Sequence, residues 1–394
     1  MDEAGRAQAP FSAEDLHWMR HALALARRGI GHSQPNPAVG AVVTLQGRVV
    51  GEGYHHHAGG PHAEVVALRQ AGSAARGATL YVTLEPCNHY GRTPPCTEAI
   101  LAAGIRRVVV AATDPNPKVS GSGIARLRAA GLTVDVGLLE EESWGVNPWY
   151  PTYITQGRPW VHLKLATTLD GRLASSTGDA RWITSPAARR EVHWLRHSSG
   201  AVMVGAGTVR ADDPALTARE IDPTGGIHQP WRVVVTRRLE LPLTARLLAP
   251  PHPAPTLVAT GPEASLEAEA QLAARGVQVW RLPLDPHSPL EGGLDLGELF
   301  RRLGREEIAS VLVEGGGRLA GALLEGGWVD WVSWYVAPLA LGDAGGTPAL
   351  VGRPKARLAE GWRLVPGRAR HVGNDVVFEG VPRRAGDHEP PARW

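Results

Sequence analysis

A chain of 394 residues is long for one domain and comfortable for two, each able to bury its own core. Its 41 basic and 39 acidic residues interleave and nearly cancel, so the chain lacks the basic block that tracks a phosphodiester backbone, and a nucleic-acid partner is not expected. Two cysteines, a charged N-terminus and apolar runs no longer than a strand argue against a disulfide scaffold and against a membrane span; a cytoplasmic protein with reduced thiols is expected.

In chain order, Leu16, Met19, Leu23 and Ala26 recur at helical spacing behind a Ser12 cap, which predicts an amphipathic helix over 11–29. "AVGAVVTLQGRVVGEGY" reads as a hairpin turning at Gly47. A helix "HAEVVALRQAG" ended by Gly72 follows, then strand "ATLYVTLEP", helix "TPPCTEAILAAG", strand "RRVVVAATD", helix "GSGIARLRAAG" and strand "LTVDVG". Strands alternating with short helices predict an α/β sandwich around a largely parallel sheet. Periodicity fails across 138–158, which places a domain boundary there and divides the chain into 1–150 and 151–394. A second α/β series begins at "PWVHLKLATTLDGRLA" and passes through "AVMVGAG", "WRVVVTRR", "PTLVAT", "VQVWRL" and "ASVLVEGGG" to a strand-rich end at "WVDWVSWYVAP" and "HVGNDVVFEG". The first ten residues and "RRAGDHEPPARW" are expected to be loose.

Chemistry concentrates first around "GGPHAEVVAL" and "EPCNHYGRTPPC". His62 with the two thiols Cys87 and Cys96 makes the nitrogen–sulfur set that suits zinc. A zinc site that only staples the fold needs a fourth protein ligand, for which His55, His56, His57 and His89 are candidates; a catalytic site keeps three and leaves a position open. The open site is favoured, because two thiols fall short of most structural sets. Both "PHAE" and "TPPC" look like helix starts, where the macrodipole favours thiolates. Glu64, two residues from His62, then has a role as the carboxylate that moves protons between water, substrate and leaving amine. Without a metal, Glu64 would be an ordinary first-turn acid.

In the second half, "SVLVEGGGRLAGALL" reads as strand, Gly-rich turn and helix, a place where free amides meet a phosphate as readily as a tight structural turn. It is neither a Walker A loop nor a dinucleotide fingerprint of the GxGxxG kind. Arg196, Arg210 and Arg219 offer guanidinium groups suited to a terminal phosphate, but by themselves they read more readily as a solvated charged face.

His-Ala-Glu followed by Pro-Cys and a second Cys resembles the signature of the cytidine deaminase-like zinc hydrolases, with eight residues between the cysteines instead of two. Together with "QPNPAVGAVV", "GYHHHAGGPHAE" and "DPNPKVSG", it resembles the deaminase half of the bifunctional riboflavin-biosynthesis deaminase–reductases. "HLKLATTLDGRLA", "RWITS", "GAGTVRADDPALTAR" and "LVEGGGRLAG" resemble, in order, the reductase half of that family. The resemblance implies a cytidine deaminase-like three-layer α/β domain followed by a dihydrofolate reductase-like domain. It implies zinc on His62, Cys87 and Cys96, Glu64 as the catalytic acid–base, and Asn36 and His55 in the deaminase substrate pocket.

For the reductase it implies NADPH contacts at Ala166, Trp182, Thr208 and Asp212 and along Gly316, Gly317, Arg318, Leu319, Ala320, Gly321 and Ala322. Ribose-phosphate contacts are implied at Ala180, Arg196, Leu216, Arg219 and Glu314, with Lys164 in the same pocket. Two positions depart from the family pattern: Ala180 stands where serine is common, and Arg237 where a serine near the adenosine phosphate is expected. The implied activity is hydrolytic deamination of a diaminopyrimidine ribonucleotide followed by NADPH-dependent reduction of its ribosyl chain, in a homo-oligomer. The alternatives are a deaminase for another pyrimidine nucleotide carrying an inactive reductase-like domain, and, from a different class, a zinc-stapled RNA-binding protein.

Overall fold

The computed structural model describes residues 11–91, 94–249, 254–288, 292–384 and 386. Of the ends expected to be loose, Arg383 and Arg384 belong to a strand, and the rest, Gly386 apart, lie outside the described residues. The chain forms two compact units, one reaching Gln156 and including Pro223–Gly226, the other formed by Gly157–Asp222 and the residues from Ile227 on.

The first unit runs α1 (Ala13–Arg27), β1 (Gly40–Leu45), β2 (Arg48–Tyr54), α2 (Ala63–Ala71), β3 (Thr79–Leu84), α3 (Cys96–Ala103), β4 (Arg107–Ala112), α4 (Ser122–Ala129), β5 (Thr133–Val136), α5 (Glu140–Val146) and α6 (Tyr150–Gln156). The Ser12 cap is present as a capping box: Asp15 N–H donates to Ser12 Oγ (3.1 Å) and Ser12 N–H to Asp15 Oδ2 (3.0 Å). β1 and β2 meet through Gln46 and Gly47, both at positive φ, as a tight hairpin demands.

The five strands order as β2-β1-β3-β4-β5, and the expectation of a largely parallel sheet needs correction. Only β3–β4 and β4–β5 are parallel; β1 pairs antiparallel on both sides because the hairpin reverses the chain before the first crossover. Successive residues of β4 serve opposite faces: Val108 and Val110 pack with Ala63, Ala67, Ile100 and Leu127 of α2, α3 and α4, whereas Val109 and Ala111 pack with Met19, Ala22 and Leu23 of α1. That double burial is why the strand reads as an unbroken apolar run, and it makes the domain three-layered. The stretch read as aperiodic, 138–158, holds α5 and α6, each seven residues and too short to show a helical period.

The second unit runs β6 (Trp160–Thr167), β7 (Arg172–Ala174), α7 (Pro186–Ser198), β8 (Ala201–Gly205), α8 (Ala206–Asp212), β9 (Trp231–Val235), β10 (Thr256–Thr260), α9 (Leu266–Ala273), β11 (Gln278–Arg281), α10 (Leu296–Arg305), β12 (Ser310–Glu314), α11 (Gly317–Glu325), β13 (Trp331–Val336), β14 (Thr347–Pro348), β15 (Trp362–Val372) and β16 (Asp375–Arg384). Nine strands form one sheet in the order β11-β10-β9-β8-β12-β6-β13-β16-β15. Pairings are parallel from β11 to β13, and the β15–β16 hairpin closes the far edge antiparallel. All six strands read from "PWVHLK" to "ASVLVEGGG" form, whereas β15 begins at Trp362, before the stretch read as strand. One face carries Leu163, Met203, Val233, Val311 and Val313 against α10 and α11; the other carries Val202, Val204, Val234, Val258 and Leu312. In a parallel sheet so covered, the strand C-termini are where side chains can meet a ligand, and that end carries Lys164, Gly205 and Glu314.

Candidate active sites

In the first unit, His62 is the residue capping α2 and Cys96 the first residue of α3, so two helix starts converge. Cys87 comes from the turn after β3. The ligand-capable atoms of His62, Cys87 and Cys96 all lie within 4.8 Å of one another, with His62 Nδ1 3.2 Å from Cys96 Sγ and 3.6 Å from Cys87 Sγ. Among the described residues this is the sole such cluster. One nitrogen and two sulfurs at this spacing fit zinc, a borderline-soft cation that prefers imidazole and thiolate.

The pairing of the two thiols holds the Cys87 thiol well below its ordinary value and, with burial, pushes Cys96 up. The Cys96 backbone N–H also donates to Cys87 Sγ (3.4 Å), as a helix N-terminus does for an anionic sulfur. Glu64 is buried, and that burial pushes its carboxyl up. It stays outside the ligand cluster, as a carboxylate that carries protons should.

His55 and Asn36 meet beside this cluster. His55 Nδ1 faces the Pro61 carbonyl at 3.0 Å, so Nδ1 carries the proton and donates; Nε2 is then the acceptor for Asn36 Nδ2–H at 3.1 Å. Burial pulls the His55 pKa down and keeps the ring neutral, consistent with this tautomer. The His55 ring also stands edge-on to His62, with centroids 5.4 Å apart. With both nitrogens engaged, His55 is no fourth ligand, and His56, which stacks on Tyr54, His57 and His89 are likewise absent from the cluster.

In the second unit, a cavity of about 470 Å³ is lined by Lys164, Ala166, Ala180, Trp182, Arg196, Thr208, Asp212, Leu216, Arg219, Glu314 and Gly316, side chains drawn from five segments of chain. Arg196 reaches from α7 to Glu314 at the end of β12 in a bidentate pair, Nε to Oε1 at 2.6 Å and Nη2 to Oε2 at 2.8 Å, and its Nη1 donates to the Thr217 carbonyl. Lys164 Nζ lies 5.4 Å above the Tyr335 ring; burial lowers its pKa, with Glu314 opposing that shift. Trp182 stands 66% exposed with the Arg189 guanidinium 4.5 Å from its ring centroid.

The Gly-rich turn divides in two. Gly315 and Gly316, both at positive φ, line the cavity. Gly317, Arg318 and Leu319 begin α11, while the Ala320 N–H already donates to the Gly316 carbonyl. Leu319, Ala320 and Ala322 point into the core, and a Cβ on Gly321 would lie 1.9 Å from the Val351 carbonyl, so that glycine serves close packing. Arg210 is not among the lining residues; its Nη1 donates to the Glu240 carbonyl. Arg237 is also outside the lining, its guanidinium against Gly292. Sequence reasoning passed over Arg181, Arg189, His193 and Arg246, which do line the cavity. They sit in Arg-rich or helical stretches whose spacing alone does not separate inward from outward residues.

The fold and the two sites define a class: a hydrolytic zinc deaminase domain followed by a cofactor-dependent reductase domain of dihydrofolate reductase-like fold. The family model of the cytidine and deoxycytidylate deaminase zinc-binding region matches residues 12–112, and that of the RibD C-terminal domain matches 159–378. Riboflavin biosynthesis protein RibD of Aquifex aeolicus is 48% identical over 364 residues, 92% of this chain and 97% of that protein. Its counterpart from Escherichia coli is 44% identical over 93% of this chain and 98% of its own length. Among solved structures, Acinetobacter baumannii RibD superposes with a TM-score of 0.80 at 39% identity, covering 94% of this chain and 99% of that one. A diaminohydroxyphosphoribosylaminopyrimidine deaminase/5-amino-6-(5-phosphoribosylamino)uracil reductase from Thermotoga maritima gives 0.78 at 35% identity, covering 94% of this chain and 99% of that one. The chain belongs to the RibD family, the bifunctional deaminase–reductases of riboflavin biosynthesis.

Proposed function

We propose that the protein hydrolyses the 2-amino group from 2,5-diamino-6-(5-phosphoribosylamino)pyrimidin-4(3H)-one and then reduces the ribosyl chain of the product to ribityl with NADPH. The observation that carries this reading is the convergence of His62, Cys87 and Cys96 within 4.8 Å beside the buried Glu64.

His62, Cys87 and Cys96 would hold the metal. Zinc, when bound, lowers the pKa of a coordinated water to about 7 and so supplies a nucleophile at neutral pH. Glu64 takes the proton that water gives up on attacking the ring carbon, and returns it to the departing nitrogen as the carbon–nitrogen bond breaks and ammonia leaves. Burial raises the proton affinity of Glu64, which suits a group that must both accept and donate. Asn36 and His55 orient the pyrimidine; their mutual hydrogen bond fixes the rotamer of each.

In the reductase cavity, NADPH supplies the hydride for C1 of the ribosyl chain. Ala166, Trp182, Thr208, Asp212 and the amides from Gly316 to Leu319 form the cofactor side; Ala320, Gly321 and Ala322 support the helix from behind. Ala180, Arg196, Leu216, Arg219, Glu314 and Lys164 form the ribose-phosphate side. Since Ala180 has no side-chain hydroxyl, its contribution is through the backbone. Because Arg196 is paired with Glu314, Arg219, whose Nε faces Glu220 at 3.3 Å at the exposed rim, carries the more available charge for a phosphate. A homo-oligomer in the cytoplasm belongs to the same reading through the family; among the described residues no helix is long and apolar enough to cross a membrane.

The test follows ammonia release and NADPH oxidation in one reaction with the diaminopyrimidine ribonucleotide. Ammonia should appear first and NADPH should fall after it. Absence of ammonia from zinc-loaded protein would overturn the substrate assignment.

A further inference from the structure

We propose that Glu85 is a positioning residue of the deaminase centre, its carboxylate tying the turn that carries Cys87 to the segment from Asp114 to Ile124. The proposal rests on the reading of His62, Cys87 and Cys96 as the metal centre.

The last sheet hydrogen bond on this side is made by Glu85 itself, whose N–H donates to the Ala112 carbonyl at 2.9 Å. Beyond it Pro86 has no N–H to give, and Cys87 has left the sheet. Two anchors then fix the turn. On the α3 side, Cys96 N–H donates to Cys87 Sγ (3.4 Å) and Thr97 N–H to the Cys87 carbonyl (3.2 Å). On the α4 side the work falls to one side chain. Glu85 Oε1 accepts from Gly123 N–H (2.9 Å) and Ile124 N–H (3.2 Å), and Oε2 accepts from Gly121 N–H (2.9 Å) and Asp114 N–H (3.3 Å).

Four backbone donors fill the acceptor positions of both oxygens of a side chain in a residue only 4% exposed, and all four come from the same segment. The segment is pressed close: a Cβ on Gly123 would sit 1.9 Å from the Pro86 carbonyl oxygen, directly before Cys87. Thus the main chain on both sides of Pro86 is held against α4, and the Cys87 sulfur inherits that position. Metal ligands whose supports are rigid keep their geometry through turnover, and loss of such support costs ~10–100-fold in metal affinity or activity.

Glu85→Gln is the sharpest perturbation. A glutamine keeps the shape, but its amide nitrogen is a donor facing two of the four N–H groups, leaving them without an acceptor. The experiment uses the full-length protein loaded with Co²⁺ and reads the thiolate-to-cobalt charge-transfer and ligand-field bands, with metal loss to a chelator and deaminase kcat and KM measured alongside. E85Q should show altered bands, metal loss faster by roughly 10–100-fold, and a fall in kcat with KM little changed, while reduction of the already deaminated substrate proceeds as in the parent. Bands and chelation rate superimposable on the parent, whatever the change in Tm, overturn the proposal. Should E85Q fail to fold, Gly123→Ala leaves the carboxylate intact but drives α4 from the Pro86 carbonyl; unchanged bands there overturn the proposal equally. If the parent protein itself shows no thiolate charge transfer, the metal-centre reading falls and takes this proposal with it. A parent spectrum with thiolate character but no ammonia release overturns only the substrate assignment, and the E85Q bands still decide the role of Glu85.

Discussion

Arg196 and Glu314 form a bidentate ion pair at the wall of the reductase cavity, each side chain only 13% exposed. Breaking such a pair from one side leaves an uncompensated buried charge, at a cost of about 3–5 kcal/mol. Glu314→Gln and Arg196→Met should each lower Tm and abolish most reductase activity. The double variant Arg196→Met/Glu314→Leu should recover much of the stability and none of the reduction. Recovery of NADPH oxidation in the double variant would show that the pair is structural only.

Glu64→Gln removes the carboxylate proposed to carry protons without touching the His62, Cys87 and Cys96 cluster. Ammonia release should fall by ~10²–10⁴-fold, with zinc content and NADPH-dependent reduction of the deaminated substrate unchanged. Metal analysis of the purified variant is the check; a zinc-free E64Q protein would mean that Glu64 holds the metal.

Asn36→Ala strips His55 Nε2 of its donor. A lost hydrogen bond of this kind is worth about 1–3 kcal/mol when the remaining group is buried, so the deaminase KM should rise by roughly 5–150-fold while zinc affinity holds. Steady-state kinetics at saturating zinc measures it, and an unchanged KM removes Asn36 from the substrate pocket.

His162, on β6 of the nine-stranded sheet, is buried, its Nε2 2.9 Å from Ser333 Oγ, which in turn donates to Glu379 at 3.0 Å. Since the serine proton goes to the carboxylate, the imidazole donates from Nε2. Burial pushes its pKa down from 6.5 to about 4. The unfolded chain therefore binds more protons than the folded one between these values, and stability declines as pH falls from about 6.5 toward 4, by about 3 kcal/mol for this group. Urea unfolding at pH 7 and pH 5 should show the loss, and His162→Gln should flatten that part of the profile. An identical pH slope in the variant would assign the loss to other groups.

Much of this architecture was open to reading before any coordinates. The three-residue zinc set could be read because Cys87 and Cys96 are the only thiols in the chain and His62 is followed by Glu64 at a helix start; scarcity and local pattern did the work. Strands such as "RVVVAAT" announced themselves because burial on both faces demands apolar residues at every position. The antiparallel half of the first sheet did not, because strand direction is set by where the hairpin sends the chain. α10 escaped notice although Asp295, which accepts from Glu298 N–H at 2.8 Å, offered a cap that could have been found.

What the amino-acid order offered alone was therefore which side chains could carry chemistry: a nitrogen–sulfur set suited to zinc, a neighbouring carboxylate, a Gly-rich turn and a set of arginines, all encoded in local runs. Which arginines face the cavity was decided only by the fold. Arg196 pairs with Glu314 across 118 residues of chain, Arg210 turns to the Glu240 carbonyl, and Arg189 lies on Trp182. Glu85 is the clearest case. Its residue type and place beside Pro86 and Cys87 are plain in the sequence, yet its four partners come from a segment about thirty to forty residues away, brought to it by the parallel pairing of β3 with β4. Hydrogen bonds of that separation depend on how strands cross over, and no local pattern records them.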